Sequence, residues 1–192
     1  NYVNKDIIEF NKLFNAMKHK SLILFSFALV FLFMAGCRNP RRENITEIEN
    51  IEKSLFDQES AIDRTKVGEL IDLYVRFADT YPDDSLSPAY LFKAGDMAMN
   101  TNRSQQAIEF YKRIIDNYPD YPKVPEALFL QGYIYENNLG RLDEAKRIYE
   151  QFLELYPEND FADDARVSLQ FLGKTPEELI EIFQQQSAPD AE

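Results

Sequence analysis

The chain has 192 residues, 21 of them basic and 33 acidic, a formal net charge of −12, one histidine, one cysteine and no tryptophan. An acidic surface repels the phosphate backbone, which argues against nucleic-acid binding. With histidine and cysteine so scarce, zinc, copper and haem sites and histidine-driven acid–base or nucleophile chemistry lack their usual side chains.

Residues 1–16 do not begin with methionine and carry Asp6 and Glu9. They read as an over-extended start, with translation expected from Met17. The alternative is an amphipathic regulatory extension in which Ile7, Ile8, Phe10, Leu13 and Phe14 share a helical face. From Met17 the chain runs through Lys18, His19 and Lys20 into 14 residues, Ser21 to Met34, whose only polar members are Ser21 and Ser26. A helix of that length spans about 21 Å against about 30 Å of bilayer hydrocarbon, too short to cross comfortably. A basic start, an apolar middle and a small-residue exit make a secretory signal over residues 17–36. The other readings are a buried core helix or a membrane anchor extended through Gly36. The closing run Met34, Ala35, Gly36, Cys37 resembles the lipobox of bacterial lipoproteins, with Met34 where leucine is usual. That resemblance implies a covalent lipid on Cys37 as the first mature residue, and no other cofactor is expected. Removing residues 1–36 leaves 17 basic and 31 acidic residues, a formal charge of −14.

Residues 37–44 are expected to be a polar tether and residues 45–186 a helical domain. Ile45, Ile48, Ile51, Glu52 and Leu55 predict an opening helix ending near Phe56, paired with a helix from Val67 to Tyr81. Three Tyr-Pro pairs then mark a repeat: Tyr81 with Pro82, Tyr118 with Pro119 and Tyr156 with Pro157, spaced by 37 and 38 residues. Before each pair runs an amphipathic helix. The first carries Leu70, Leu73, Tyr74 and Phe77, the second Ala107, Ile108, Phe110, Tyr111 and Ile114, and the third Ala145, Ile148, Tyr149 and Phe152. Ahead of the second and third lie helices with an internal glycine, Gly95 and Gly132. Mid-helix glycine costs about 1 kcal/mol relative to alanine, so a close approach of the paired helix is expected there. Pro88 and Pro125 suit the first turns of these helices.

A third unit begins with Phe161, Ala162, Ala165, Leu169 and Leu172, with Gln170 in place of the glycine. Thr175, Pro176 and Glu178 predict a capped final helix whose face, Leu179, Ile180 and Phe183, closes the stack. Residues 187–192 read as a frayed tail. The acid pairs Asp83–Asp84 and Asp163–Asp164 flank predicted helix starts, where carboxylates favour the dipole, so they read as caps rather than as calcium ligands or a catalytic pair.

From Val67 to Gly173 the pattern resembles the tetratricopeptide repeat family, with glycine in helix A, alanine and an aromatic in helix B, and proline after it. The resemblance implies an all-α, right-handed solenoid of antiparallel helix pairs. It puts Gly95 against Ala107 and Gly132 against Ala145, with the extra residue of the later unit in the turn Asn138, Leu139, Gly140. It also implies a non-catalytic scaffold whose A helices line a groove for a protein or peptide partner. The groove positions would be Phe92, Asp96, Met99 and Asn100, then Phe129, Tyr133, Glu136 and Asn137. Phe92 and Phe129 could instead simply pack between repeats. No basic residue stands at these positions, which argues against carboxylate-terminal tails as the ligand. Together with the lipobox, the pattern is similar to the lipidated tetratricopeptide protein of the outer-membrane β-barrel assembly machinery. It is less similar to the unlipidated periplasmic coordinator of envelope constriction. The implied partner is a β-barrel assembly component, and the implied location is the outer membrane facing the periplasm. A self-associating spacer is the structural alternative.

Overall fold

A computed structural model describes residues 39–56 and 64–187, and these are all-helical. The signal segment, Cys37 and the end of the tail lie outside the described residues. The chain divides into two compact units, Asn1–Ile45 and Thr46–Glu192. We number the helices α1 (Pro40–Phe56), α2 (Arg64–Thr80), α3 (Ser87–Asn100), α4 (Ser104–Asn117), α5 (Val124–Tyr133), α6 (Leu142–Leu155), α7 (Ala162–Phe171) and α8 (Pro176–Ser187). Among the described residues no helix is long and apolar enough to cross a membrane.

Helix α1 begins five residues earlier than the apolar pattern predicts. Asn39 Oδ1 accepts the Arg42 N–H at 3.3 Å, and Pro40 opens the first turn. Residues 40–44 are therefore helix and not tether; a polar first turn has caps but no apolar period to reveal it.

Helices α3 with α4 and α5 with α6 form the two antiparallel pairs, and α7 packs on α6. The loops between pairs repeat one backbone path. In each, the tyrosine carbonyl accepts an N–H three residues on, and that residue's carbonyl accepts another three further. The series are 81–84–87, 118–121–124 and 156–159–162, with bonds of 2.9–3.2 Å. Asp84 and Asn159 each add a side-chain bond to the N–H two residues on. Pro88 and Pro125 stand in the first turns of α3 and α5, as predicted.

The glycines meet something other than the predicted alanines. Ala107 and Ala145 are fully buried, but a Cβ on Gly95 would lie 2.6 Å from the ring of Tyr111, and one on Gly132 would lie 2.7 Å from the ring of Tyr149. The B-helix tyrosine, not the alanine, occupies the space that the missing side chain leaves. The extra residue of the second pair is also not in the turn. It is absorbed where α5 loosens into a π-helical turn, Ile134–Asn138, closed by Leu139 N–H on the Ile134 carbonyl at 3.1 Å.

At the C-terminal end, Thr175 and Glu178 form the predicted reciprocal cap, with bonds of 2.8 and 3.2 Å. Of the face expected to close the stack, Leu179 is half-buried and Ile180 is 56% exposed, and the Phe183 side chain lies outside the described residues.

Gly95→Ala and Gly132→Ala are each expected to lower stability by about 1–3 kcal/mol through overpacking, against the gain of about 1 kcal/mol that alanine brings to a free helix. Urea unfolding followed by circular dichroism measures this, and a gain in stability at either site would contradict the ring-on-backbone packing.

Candidate partner groove

The A helices carry the groove positions, and the B-helix tyrosines decide how those positions are used. Tyr74, Tyr111 and Tyr149 are fully buried, and each donates its hydroxyl to a carboxylate across the pair. Tyr74 bonds Glu52 at 2.5 Å, Tyr111 bonds Asp96 at 2.6 Å and Tyr149 bonds Glu136 at 2.8 Å. Two of the predicted groove acids are thus engaged from behind. Burial, then the bond to the carboxylate, raises all three phenols well above the ordinary tyrosine value. Burial likewise raises the Asp96 carboxyl, although the Tyr111 bond and nearby Lys123 oppose the shift.

Phe92 and Phe129 are buried. Phe92 meets the Tyr111 ring edge-on at 5.5 Å between centroids and lies under the Lys123 ammonium at 4.1 Å. Phe129 stacks on Phe161 at 4.9 Å and also touches Tyr149 and Phe152. Both rings therefore pack within and between units. Met99 is half-buried, and Asn100 and Asn137 are exposed, each bonding a carbonyl one turn back in its own helix.

Tyr133 differs from the other aromatics of the face: it is 42% exposed. It stands 37 residues after Asp96, in the place of that acid, while Glu136, one turn later on the π turn, takes over the bond to the tyrosine. The extra residue thus moves the acceptor along the helix and leaves an aromatic at the surface.

Two residues belong to this surface that the groove pattern did not include. Lys123 pairs with Glu126 at 3.1 Å while covering Phe92. Tyr121 stands where the other loops have Asp84 and Asn159, and burial raises its phenol, with Lys123, Glu126 and Asp96 all close enough to act on it. The loop register, read across the three Tyr-Pro units, could have singled out Tyr121. The face is therefore a partly buried aromatic floor with acids tied to tyrosines, one lysine over a ring, and Tyr121, Tyr133, Asn100 and Asn137 as polar or amphipathic groups that a partner could bond.

Residues 89–121 and 126–159 each match the tetratricopeptide repeat family. No curated protein is detectably similar to the chain.

A phenol whose folded-state pKa is raised contributes stability that is intact below the ordinary value of 10.0 and is lost as pH rises through the folded-state value. Tyr111→Phe is expected to cost about 1–3 kcal/mol at pH 7, because Asp96 loses its partner, yet to lose less further stability than wild type above pH 10. Urea midpoints across the pH range, with phenolate absorbance recorded in parallel, measure both. Equal alkaline slopes for the two proteins would contradict this account.

Proposed function

We propose that this tetratricopeptide-repeat protein is a lipid-anchored scaffold of the bacterial envelope that holds a segment of a partner protein along its A helices. Tetratricopeptide repeats are protein-interaction scaffolds, typically without catalytic activity, and two consecutive ones are present here. The observation that carries the binding role is Tyr133, a large aromatic held out of the core at a register position where the preceding repeat has an acid. Exposed tyrosine gives a partner apolar area and a hydrogen bond at little entropic cost, which is why it recurs among interface anchors. Asn100 and Asn137 supply amide groups on the same helices, the kind of donors and acceptors that bond an extended backbone.

Anchoring rests on the sequence Met34, Ala35, Gly36, Cys37 after its basic and apolar leader. Two or more acyl chains on one cysteine hold a protein stably, where a single chain binds only marginally. Arg38, directly after the cysteine, is not the aspartate that would favour retention at an inner membrane, which supports the outer membrane. A β-barrel assembly component is the partner that this reading favours.

Two measurements test the reading. Labelled palmitate is expected on wild type and absent from Cys37→Ser, which also leaves the membrane fraction; label retained in the variant would exclude the anchor. A photo-crosslinker in place of Tyr133 is expected to trap an envelope protein in membranes. Crosslinks to a second copy of the chain alone would favour a self-associating spacer and overturn the partner groove.

A further inference from the structure

Among the described residues, eight ion pairs engage eight of the lysines and arginines, most of them with an acid three or four positions away. Arg64, Arg76 and Arg103 take part in none of these, and all three line one cavity of about 810 Å³ beside α2. The cavity lining holds three arginines against two acids, Glu69 and Asp72, so it is net positive in a chain of net charge −12.

The repeat itself shows how Arg103 comes to be free. Arg103 and Arg141 occupy matching turns: each follows a residue with positive φ, Asn102 at 59° and Gly140 at 64°. Each also returns its N–H to the preceding helix at 2.8 Å. Arg141 is then neutralised by Glu144, three residues on, with Nε to Oε1 at 2.8 Å, and lies over the ring of Tyr135. Three residues after Arg103 stands Gln106, which offers no charge. The guanidinium of Arg103 instead lies on Gly68 of α2, with Nη2 3.1 Å from where a Cβ would be. The spacing from Tyr74 to Tyr111 puts Gln105 at the equivalent place in the next unit, so the bare backbone is particular to this cleft. The acid partner and the side chain beneath are thus both missing from the unit in which the arginine is left charged.

We propose that Arg103, with Arg76 and Arg64, forms a second binding site that takes a carboxylate-bearing segment of a partner protein. A guanidinium fork matches a carboxylate with two parallel bonds. The cleft opens at the first residue of α2, where the helix dipole adds positive potential. Glu69 and Asp72 line the same cavity, which limits its net positive charge and disfavours a dianionic phosphate. A singly charged side chain carried by a peptide of mixed sequence fits better. The site shares no residue with the groove set and stands or falls independently of it.

Fluorescence anisotropy of the full chain in non-ionic detergent, with a labelled glutamate-alanine hexapeptide as probe, tests the proposal. Wild type is expected to bind with an affinity that falls as salt rises. Arg103→Ala is expected to weaken binding at least 10-fold and Arg103→Lys several-fold, since lysine loses the fork. Gln106→Glu is expected to weaken it as much as Arg103→Ala by pairing the arginine as Glu144 pairs Arg141, while Arg147→Ala, at an exposed arginine outside the cleft, leaves it unchanged. Helical circular dichroism should be the same for all variants. Full affinity in Gln106→Glu, an equal loss in Arg147→Ala, no binding by wild type, or displacement by inorganic phosphate at the same concentration as the peptide would each overturn the site.

Discussion

A tyrosine ring laid on bare helix backbone, its hydroxyl returned to a carboxylate of the same pair, is the contact on which the domain depends. The ring needs the missing Cβ of Gly95 or Gly132, because a methyl there would sit well inside van der Waals distance of ring carbons. The hydroxyl, once buried, needs an acceptor, since an unsatisfied one costs about 1–3 kcal/mol. A carboxylate supplies it with a charge-assisted bond. These demands fix the approach of the two helices and the rotation of each about its axis. The opening unit, whose α1 has no glycine, keeps only the hydroxyl-to-carboxylate half of this contact, from Tyr74 to Glu52, and Glu52 also accepts from Lys93 at 2.6 Å, so one carboxylate ties α1 to both α2 and α3. The aromatic packing of Tyr74 with Tyr90 and of Phe92 with Tyr111 follows from where this contact places the rings.

The same contact explains how the groove face acquires its character. A carboxylate that serves a tyrosine from behind is only partly available to a ligand in front, so Asp96 and Glu136 set the local field more than they grip. Where the repeat gains one residue, the π turn keeps the tyrosine supplied by moving the acceptor from the position beside glycine, as in Asp96, to the one a turn later, Glu136. The position vacated holds Tyr133. A single change in covalent spacing, absorbed without breaking the pair, thereby turns an acid site into an exposed aromatic one. Single π turns inside helices recur at functional positions for this kind of reason.

Much of this was legible in the sequence. Tyr-Pro spacing, the apolar period of each B helix and the mid-helix glycines gave the helix pairs and the loops, because each is a local signal repeated at a fixed distance. Sequence pattern falls short where the outcome depends on what lies across the interface. Periodicity says that Gly95 faces the partner helix; it does not say whether Ala107 or Tyr111 reaches it. The ring wins because it fills the space left by glycine while keeping its hydroxyl within reach of Asp96. Likewise, an inserted residue can lengthen a turn or loosen a helix, and only the need to keep Tyr149 bonded to Glu136 selects the second. The first turn of α1 is hidden from the apolar period because Pro40 to Asn44 have no apolar pattern, although Asn39 and Pro40 are themselves a helix-start signal. The arginine cleft was out of reach because Gly68 and Arg103 are far apart in sequence and neither belongs to the groove register.

In a solenoid, stability is close to a sum over units and their nearest-neighbour interfaces, so whatever recurs in every unit is accounted for by packing. Residues that depart from the repeat carry no such obligation. Here the departures fall in two places: on the groove face Tyr121 replaces the loop acid or amide and Tyr133 replaces Asp96, and at the arginine cleft Gln106 replaces the acid that would neutralise Arg103 and Gly68 replaces a side chain beneath it. Gly68 weakens its own helix by about 1 kcal/mol relative to alanine, with no tyrosine ring to justify the loss, and Arg103 is the group its missing side chain admits. A cost borne at one unit, beside a charge left unpaired at the same unit, is what packing alone would not select. The repeat supplies a rigid frame, and its irregularities are the positions at which we propose that frame meets a partner.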